Sequence, residues 1–448
     1  MTPWPRGVAE TARLVAEGRA SSEELVAAAL ARIEELEPEL HAWAHLDRDH
    51  AREQARAADA IWRRGRPVGL LHGVPIGVKD IFDTRDMPTE NGTVLDAGRR
   101  PTADAFAVAR LRAAGAVILG KTETTELAVF TPGPTRNPRD PGRTPGGSSS
   151  GSAAAVACGM VGAALGSQTN GSTIRPAAFC GVFGYKPSHG LIPRTRMLHQ
   201  SRALDHVGLL ARSVEDLALL GDALAGFNEG DPDTAPAAAP ALARVAAESP
   251  PMTPRLAFVK TVVWDRAEAD TRAGFAELVG HLGDRVVEET LPKPFDRALE
   301  HHGTIHEADI ARAFAVLARR GGDRLSPRLM TMIERGRGVS ALAYNDALAA
   351  ARSMTLWLAD FFHDYDAIVT PAVAGQAPVG LESTGDPAFC TTWTLAGVPA
   401  VSLPLLSGAD GLPIGVQLVG AKGDDARLLR TANWLVRMCG AEPRKPEP

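Results

Sequence analysis

The chain has 448 residues, of which 45% are hydrophobic and 23% charged, which is the ordinary composition of a soluble globular protein. Its net charge of −5 offers no basic surface for phosphate contacts, so nucleic acid is not an expected partner. The longest apolar run, residues 153–165, is too short to span a bilayer, and we expect it to form one buried helix. No membrane segment is predicted.

The cysteines and the first residues both bear on the cellular compartment. The four cysteines are Cys158, Cys180, Cys390 and Cys439, and none belongs to a CxxC pair. This usage is typical of reduced thiols in a cytoplasmic protein. Residues 1–6 lack the apolar core of a signal peptide. We therefore predict a cytoplasmic protein.

Residues 1–69 are predicted to be a helical segment that packs on the core. Ser21 and Glu24 have the spacing of a capping box at the start of a helix. Gly65 follows a long stretch rich in alanine, arginine and glutamate, which predicts the end of a second helix.

From residue 74 onward, strand and helix patterns alternate. A strand is predicted at 74–78, a helix near 104–114 and a strand at 117–119. Further strands are predicted at 208–211, 256–260, 367–370, 400–403 and 414–419. This alternation predicts an α/β fold around a large, mixed and mostly parallel sheet. Residues 228–252 are rich in alanine and proline and predict a surface loop or insertion, within one structural domain that runs from 70 to 448.

Two serine-glycine segments stand out within this pattern. Residues 146–152 read GGSSSGS and run into an alanine-rich stretch, and residues 167–178 read SQTNGSTIRPAA. Glycine frees the backbone, and asparagine tolerates a left-handed conformation, so the second segment can turn sharply. Such a turn can aim successive N–H groups at one point, which is what an oxyanion requires. The alternative is that each segment only caps the helix that follows it.

Lys79 lies in the apolar run 71–80 and is unusual for its residue type. Only seven of the 48 basic residues are lysines, and lysine is normally solvated. Burial at a strand end would lower its pKa from about 10.4 and leave a neutral amine that can accept a proton. An ordinary exposed lysine at a strand end is the alternative.

These three segments, in this order and spacing, resemble the amidase signature family of amide hydrolases. Residues 120–123 (GKTE), 137–138 (NP), 204–208 (LDHVG) and 412–417 (LPIGVQ) extend the similarity over most of 70–215 and the C-terminal strands. The resemblance implies a single-domain α/β/α sandwich, an acyl-enzyme mechanism and no cofactor or metal.

The resemblance also implies roles for individual residues. Ser172 is the expected nucleophile, and Lys79 is the expected base. Ser148, which the family places after a cis peptide bond, is the expected proton relay, because only this serine lies 24 residues before Ser172 as in the family. The N–H groups expected to bind the oxyanion are those of Thr169, Asn170, Gly171 and Ser172.

The second segment departs from the common family pattern at three positions. Many members carry Asp where Gln168 stands and Gly where Asn170 stands, and many place an arginine two residues after the nucleophile. Arg175 is three residues after Ser172, which resembles the malonamidase-like branch, where an arginine binds a substrate carboxylate. The alternative is that Arg175 only braces the loop.

Three other patterns are not expected to be functional. Residues 115–122 fit GxxxxGKT, but the residues between the glycines themselves predict a strand, so a phosphate loop is not expected. His301, His302, His306 and Glu307 have helical spacing, for which a half-exposed helix face is expected rather than a metal site. A Ser-His-Asp hydrolase is not supported, because no G-x-S-x-G elbow is present.

We therefore predict an amidohydrolase that cleaves the linear C–N amide bond of a small molecule. Its expected partners are an amide, anilide or carbamate substrate, and we expect a monomer or a homodimer. Three alternatives remain open at this point: a carbamate or ester hydrolase with the same triad, the amide-cleaving component of a tRNA-dependent amidotransferase, and a binding protein that keeps the fold without catalysis.

Overall fold

A computed structural model describes residues 7–65 and 69–440, so the predicted lack of a signal peptide in residues 1–6 lies outside the described residues. The α-helices are α1 (Val8–Ala16), α2 (Ser22–Leu40), α3 (Arg48–Arg63), α4 (Phe106–Ala113), α5 (Ser150–Ala157), α6 (Ile174–Cys180), α7 (Val214–Leu224), α8 (Leu242–Ala247), α9 (Ala269–Leu282), α10 (Ala298–Ala313), α11 (Ala315–Gly321), α12 (Pro327–Arg337), α13 (Ala341–Phe361), α14 (Ala388–Leu395) and α15 (Asp425–Met438). The strands are β1 (Trp43–Leu46), β2 (Pro75–Lys79), β3 (Val117–Thr122), β4 (Ala163–Gln168), β5 (Phe183–Lys186), β6 (His206–Ala211), β7 (Leu256–Val259), β8 (Val286–Glu289), β9 (Ala367–Pro371), β10 (Ala400–Ser407) and β11 (Pro413–Val419).

The strands form one mixed sheet in the order β1-β3-β2-β4-β6-β5-β10-β11-β9-β7-β8. A large mixed sheet was predicted, but the expectation that most of it is parallel is wrong. Only β3-β2, β2-β4, β9-β7 and β7-β8 are parallel, and every neighbouring pair from β4 to β9 is antiparallel. Several of these central strands are joined without a crossover helix, as in the β10-β11 hairpin, and short connections of this kind produce antiparallel pairs.

Helices cover both faces of the sheet, which gives the predicted α/β/α sandwich. Leu165 and Leu209 lie in a core that also contains residues of α7 and α15. Ala164 and Leu210, one position away in each strand, lie in a second core with the alanine-rich helix α5. Because successive side chains of a strand point to opposite faces, the central strands are buried on both sides.

The N-terminal segment contains the predicted helices together with a strand that was not predicted. The capping box of α2 is present: Glu24 N–H donates to Ser21 Oγ at 3.1 Å, and Ser21 N–H donates to Glu24 Oε2 at 2.9 Å. Gly65, with φ of +68°, follows α3 as expected. Strand β1 pairs antiparallel with β3 at the edge of the sheet. Because one sheet includes strands from both parts of the chain, we propose that the two parts are one structural domain.

Two stretches differ from their predicted structure. The apolar run 153–165 is not one helix: it contains the end of α5 and the start of β4, separated by a turn at Gly159 with φ of +76°. The predicted loop at 228–252 contains α8, whose Leu242 is buried against the main core. Asp231, in the same stretch, is buried in an ion pair of 2.7 Å with Arg194. These contacts fix the stretch to the body of the protein.

Candidate active site

Lys79 is the last residue of β2 and is completely buried, with 0% of its surface exposed. Its Nζ lies 2.7 Å from Ser148 Oγ and 2.8 Å from Ser167 Oγ. Ser167 lies near the end of β4, which runs parallel to β2, so the two strands bring both side chains to the same edge of the sheet.

Burial is the main reason that the pKa of Lys79 is lowered well below its usual value. The charge of Arg175 lowers this pKa further, whereas the charge of Asp205 opposes the shift. Lys79 is therefore the buried, proton-poor amine that the sequence predicted.

The first serine-glycine segment presents Ser148 to Lys79. Gly146 has φ of +83°, a conformation that favours glycine, and the peptide bond between Gly147 and Ser148 is cis, as the family resemblance implied. Helix α5 starts two residues later, and Gly151 in its first turn has no room for a side chain, because a Cβ there would lie 2.2 Å from the carbonyl oxygen of Ala42. The segment is thus held by close backbone contacts and does not behave as a flexible linker.

The second segment lies directly after β4 and brings Ser172 next to the first. Gln168 Oε1 accepts the N–H groups of Thr173 and Ile174, each at 2.9 Å, which fixes the start of α6. The carbonyl of Ser172 accepts the N–H of Ser149 at 3.3 Å. Ser172 is 7% exposed, and its hydroxyl makes no hydrogen bond to Ser148 within the described residues. The hydrogen-bonded pair is therefore Lys79 with Ser148, and Ser172 lies beside it.

The loop between β4 and α6 contains four consecutive N–H groups without an internal acceptor. The N–H groups of Thr169, Asn170, Gly171 and Ser172 donate to no other residue in the described part of the chain. The loop is nevertheless fixed from outside, because Thr169 Oγ1 donates to Asp205 Oδ1 at 2.7 Å. A fixed loop with unused donors is suited to binding a negative oxygen atom.

Arg175 connects the two segments and is only 1% exposed. Its guanidinium donates to the carbonyl of Gly147 at 2.7 Å, to Thr384 Oγ1 at 3.0 Å and to the carbonyl of Gly385 at 3.2 Å. Burial lowers its pKa to about 10. Because these contacts are all internal, they favour the bracing interpretation of Arg175 over the carboxylate-binding one.

The histidines of α10 are where the sequence interpretation is wrong. His302 and His306 are buried, not half-exposed, because α10 packs against α12, α13 and α14. His302 Nε2 donates to the carbonyl of Thr169 at 2.9 Å, and His306 Nε2 lies 2.9 Å from Gln200 Oε1. Burial lowers the pKa of His302 to about 4 and that of His306 to about 3. Among the described residues, no group of three or more His, Cys, Asp or Glu side chains could hold a metal ion.

Residues 117–122 form strand β3, which agrees with the interpretation that GxxxxGKT is not a phosphate loop here. Lys121, the lysine of that pattern, is buried in an ion pair of 3.0 Å with Asp80. It also donates to Thr89 Oγ1 at 2.6 Å.

Comparison with known proteins identifies the family. The Amidase family model matches residues 24–429. The chain belongs to the amidase family. It is 35% identical to AmiD of Mycobacterium tuberculosis, a protein with an amidase name, over 98% of this chain and 95% of AmiD. It is 39% identical to a glutamyl-tRNA(Gln) amidotransferase protein of Anaeromyxobacter sp. over 99% of this chain and 98% of that relative.

A solved structure gives the same assignment. The native peptide amidase of Stenotrophomonas maltophilia has a TM-score of 0.87 and 29% identity to this chain, and 99% of each chain is covered. The protein is therefore an amidase, that is, a hydrolase of C–N amide bonds. None of the helices in the described residues of this amidase is both long enough and apolar enough to cross a membrane.

Sequence reasoning missed three groups that touch the predicted site residues. Ser167 was within the quoted segment but received no role, because strand β4 was not predicted. His302 was noticed only as a possible metal ligand. Thr394, whose Oγ1 donates to the carbonyl of Asn170 at 2.6 Å, lies in α14, and no motif marks it.

Proposed function

We propose that this amidase hydrolyses small-molecule amides with Ser172 as the nucleophile, Ser148 as the proton relay and Lys79 as the base. The observation that carries the proposal is the buried contact of 2.7 Å between Lys79 Nζ and Ser148 Oγ, with no carboxylate of the described residues bonded to the amine. A lysine held this way has little reason to stay charged, and a neutral amine can act as a base at neutral pH.

The neutral amine fits both of its hydroxyl contacts. Its lone pair accepts the hydroxyl proton of Ser148, while one N–H continues to donate to Ser167 Oγ at 2.8 Å. Ser148 in turn accepts the proton of the Ser172 hydroxyl, once substrate draws Ser172 into line. The donor to Ser167 thus fixes the orientation of the amine, so that its lone pair faces the relay.

The reaction then follows the usual course of acyl transfer. Ser172 Oγ forms a bond to the carbonyl carbon, and the carbonyl electron pair moves onto oxygen, where the N–H groups of residues 169–172 bind it. The C–N bond breaks as the leaving amine takes a proton from Ser148, which Lys79 replaces. Water, deprotonated through the same relay, attacks the resulting ester and releases the carboxylic acid and Ser172.

The first experiment is labelling of the wild-type protein with a slow acylating agent, followed by mass spectrometry. We expect one adduct, on Ser172, and we expect Ser172→Ala to abolish both the adduct and turnover. Ser150→Ala is the matched control, because the one contact of its hydroxyl with the described residues is to the carbonyl of Glu123, at 3.5 Å. An adduct on Ser148 or Cys180 contradicts the assignment.

Carbamates and esters present the same kind of acyl carbon, so the triad alone does not select among them. A panel of small amides, anilides, carbamates and esters, tested on the purified protein, ranks these substrate classes by kcat/KM. A carbamate or ester that exceeds every amide by a wide margin contradicts the proposed substrate class.

A second candidate is the amide-cleaving component of a tRNA-dependent amidotransferase. The observation in its favour is the 39% identity to a protein of that name over nearly the whole of both chains. That role requires further protein partners. Turnover of small amides by the isolated chain at rates typical of enzymes contradicts it, whereas an isolated chain that labels at Ser172 but turns over no amide favours it. The cytoplasmic location and the monomeric or dimeric state remain predictions.

A further inference from the structure

The loop that carries the four unused N–H groups is bonded through three successive carbonyl groups on its other side. The three hydrogen bonds are, in chain order, His302 Nε2 to Thr169 O at 2.9 Å, Thr394 Oγ1 to Asn170 O at 2.6 Å and Arg175 N to Gly171 O at 2.9 Å. Each carbonyl has its own donor, and the three donors come from α10, α14 and α6.

Peptide geometry links each of these bonds to one N–H group. In a planar trans peptide, the carbonyl of one residue and the N–H of the next point in opposite directions. A donor that holds the carbonyl of Thr169 therefore fixes the direction of the Asn170 N–H. In the same way, the bond to the Asn170 carbonyl fixes the Gly171 N–H, and the bond to the Gly171 carbonyl fixes the Ser172 N–H.

We propose that His302 is a positioning residue for the oxyanion site: by donating to the Thr169 carbonyl, it orients the Asn170 N–H towards the reacting carbonyl oxygen. This inference rests on the proposed function. It gives a role to a buried histidine that lies 133 residues along the chain from the loop it contacts.

The surroundings of His302 fit this role. It is 2% exposed, and burial keeps its pKa at about 4, so near pH 7 the ring is neutral and has a single N–H to donate. The ring meets His306 edge to face, with ring centroids 5.4 Å apart. His306 is itself held by Gln200, whose backbone N–H donates to Asp205 Oδ2 at 2.9 Å. Asp205 also accepts the Thr169 hydroxyl, so two independent contacts fix the same residue of the loop.

A histidine that only satisfies its own N–H in the core is the competing explanation. It predicts that the acceptor is of no consequence and that loss of the ring costs stability alone. The positioning role predicts instead a loss in the acylation step, because a rotated N–H no longer faces the developing charge. The two explanations therefore differ in what they predict for each folded molecule.

The test uses the full-length protein and compares His302→Ala, His302→Gln and the control His301→Ala, which changes a partly exposed neighbour on the same helix. The readouts are the melting temperature, the rate of labelling of Ser172 by a fluorophosphonate, and kcat and KM on the best amide of the panel. Removal of an oxyanion donor costs about 10²–10³ in kcat, and a misdirected donor should cost less. We expect His302→Ala to lose about ten- to hundredfold in labelling rate and kcat, with KM within about twofold.

His302→Gln should recover most of this loss, because its amide N–H can reach the same carbonyl. The pH at which activity rises should not move in either variant, since neither touches Lys79. Wild-type labelling and kcat in folded His302→Ala overturn the inference, as does an equal loss in both His302 variants.

If His302→Ala does not fold, Thr394→Val and Thr394→Ser test the same arrangement at the next peptide. Valine removes the donor to the Asn170 carbonyl with little change of shape, and serine keeps it. A drop in labelling rate of the folded valine variant but not of the serine variant supports the inference, and equal rates overturn it. Labelling of wild-type Ser172 is measured first: if it fails, the proposed function fails, and if it succeeds while the variants behave as wild type, only the positioning role fails.

Discussion

Lys79 and Lys121 lie on neighbouring parallel strands, and both are completely buried, yet their surroundings differ. In the register of β2 and β3, Lys121 is opposite Val78, so its side chain leaves the sheet on the other face from that of Lys79. On that face Lys121 meets a carboxylate, Asp80, at 3.0 Å. On the opposite face Lys79 meets the hydroxyls of Ser148 and Ser167.

This comparison separates burial from function. Burial lowers the pKa of both lysines, but for Lys121 the charge of Asp80 and its hydrogen bond oppose the shift. For Lys79 the opposing charge of Asp205 is more remote, since no hydrogen bond joins Asp205 to the amine among the described residues, and the charge of Arg175 acts in the same direction as burial. A buried lysine is thus an ion-pair partner where a carboxylate bonds it, and a candidate base where only hydroxyls do.

The largest effect is expected for Lys79→Met, which removes the base and keeps an unbranched side chain of similar length. A general base contributes about 10²–10⁴ to the rate, so we expect kcat to fall by about that factor. The melting temperature should stay the same or rise, because no buried charge loses its partner. Lys79→Arg should not rescue activity, since a guanidinium stays charged. Steady-state kinetics and thermal unfolding test this, and a Lys79→Met variant that keeps a tenth of the wild-type kcat argues against lysine as the base.

Lys121→Met is the matched change on the other face and should act on stability. It leaves Asp80 buried without its cation, and the loss of one partner of a buried ion pair costs about 3–5 kcal/mol. We expect the free energy of unfolding in urea to fall by about that amount, while the labelling rate of Ser172 per folded molecule is retained. The double variant Asp80→Asn with Lys121→Met should recover part of the stability. If Lys121→Met instead abolishes labelling of folded protein, the distinction between the two lysines is wrong.

The sequence predicted the chemistry of this region better than its architecture. Ser148 and Lys79 were identified from short motifs and their spacing, and the two side chains meet as expected. Strand β4 (AALGSQ) was missed because small residues carry little strand preference, and its alanines were assigned to a helix with those of α5. The contact of His302 with Thr169 could not be predicted, because it depends on how α10 packs on a loop far away in the chain. Spacing reveals local motifs, whereas a contact between remote elements follows only from the assembled fold.

The smallest expected effect is a shift in the pH dependence of Lys79, made in opposite directions by its two charged neighbours. The pKa of Lys79 is lowered from its usual value, so kcat/KM should rise with pH as the amine loses its proton and should level off below the ordinary range of lysine. Arg175 lowers this pKa, so Arg175→Gln should move the rise in activity to higher pH. Asp205 raises it, so Asp205→Asn should move the rise to lower pH. Each displacement should be at most about one pH unit, because charges only a few ångströms apart shift a pKa by about 1–3 units and neither group is bonded to the amine.

Opposite shifts are informative because a damaged loop cannot produce them. Both Arg175 and Asp205 also hold the loops of the site, through the carbonyl of Gly147 and the hydroxyl of Thr169 respectively, so both variants should lose some kcat. Loss of bracing lowers the plateau of the pH profile without moving its midpoint, whereas loss of a charge moves the midpoint. Substrates with and without a carboxylate separate the remaining role of Arg175: if it binds a substrate carboxylate, Arg175→Gln raises KM only for substrates that carry one. With Arg175 turned inward to Gly147 and Thr384, we expect KM to change equally little for both kinds of substrate. Midpoints that stay at the wild-type value in both variants would mean that Lys79 owes its low pKa to burial alone.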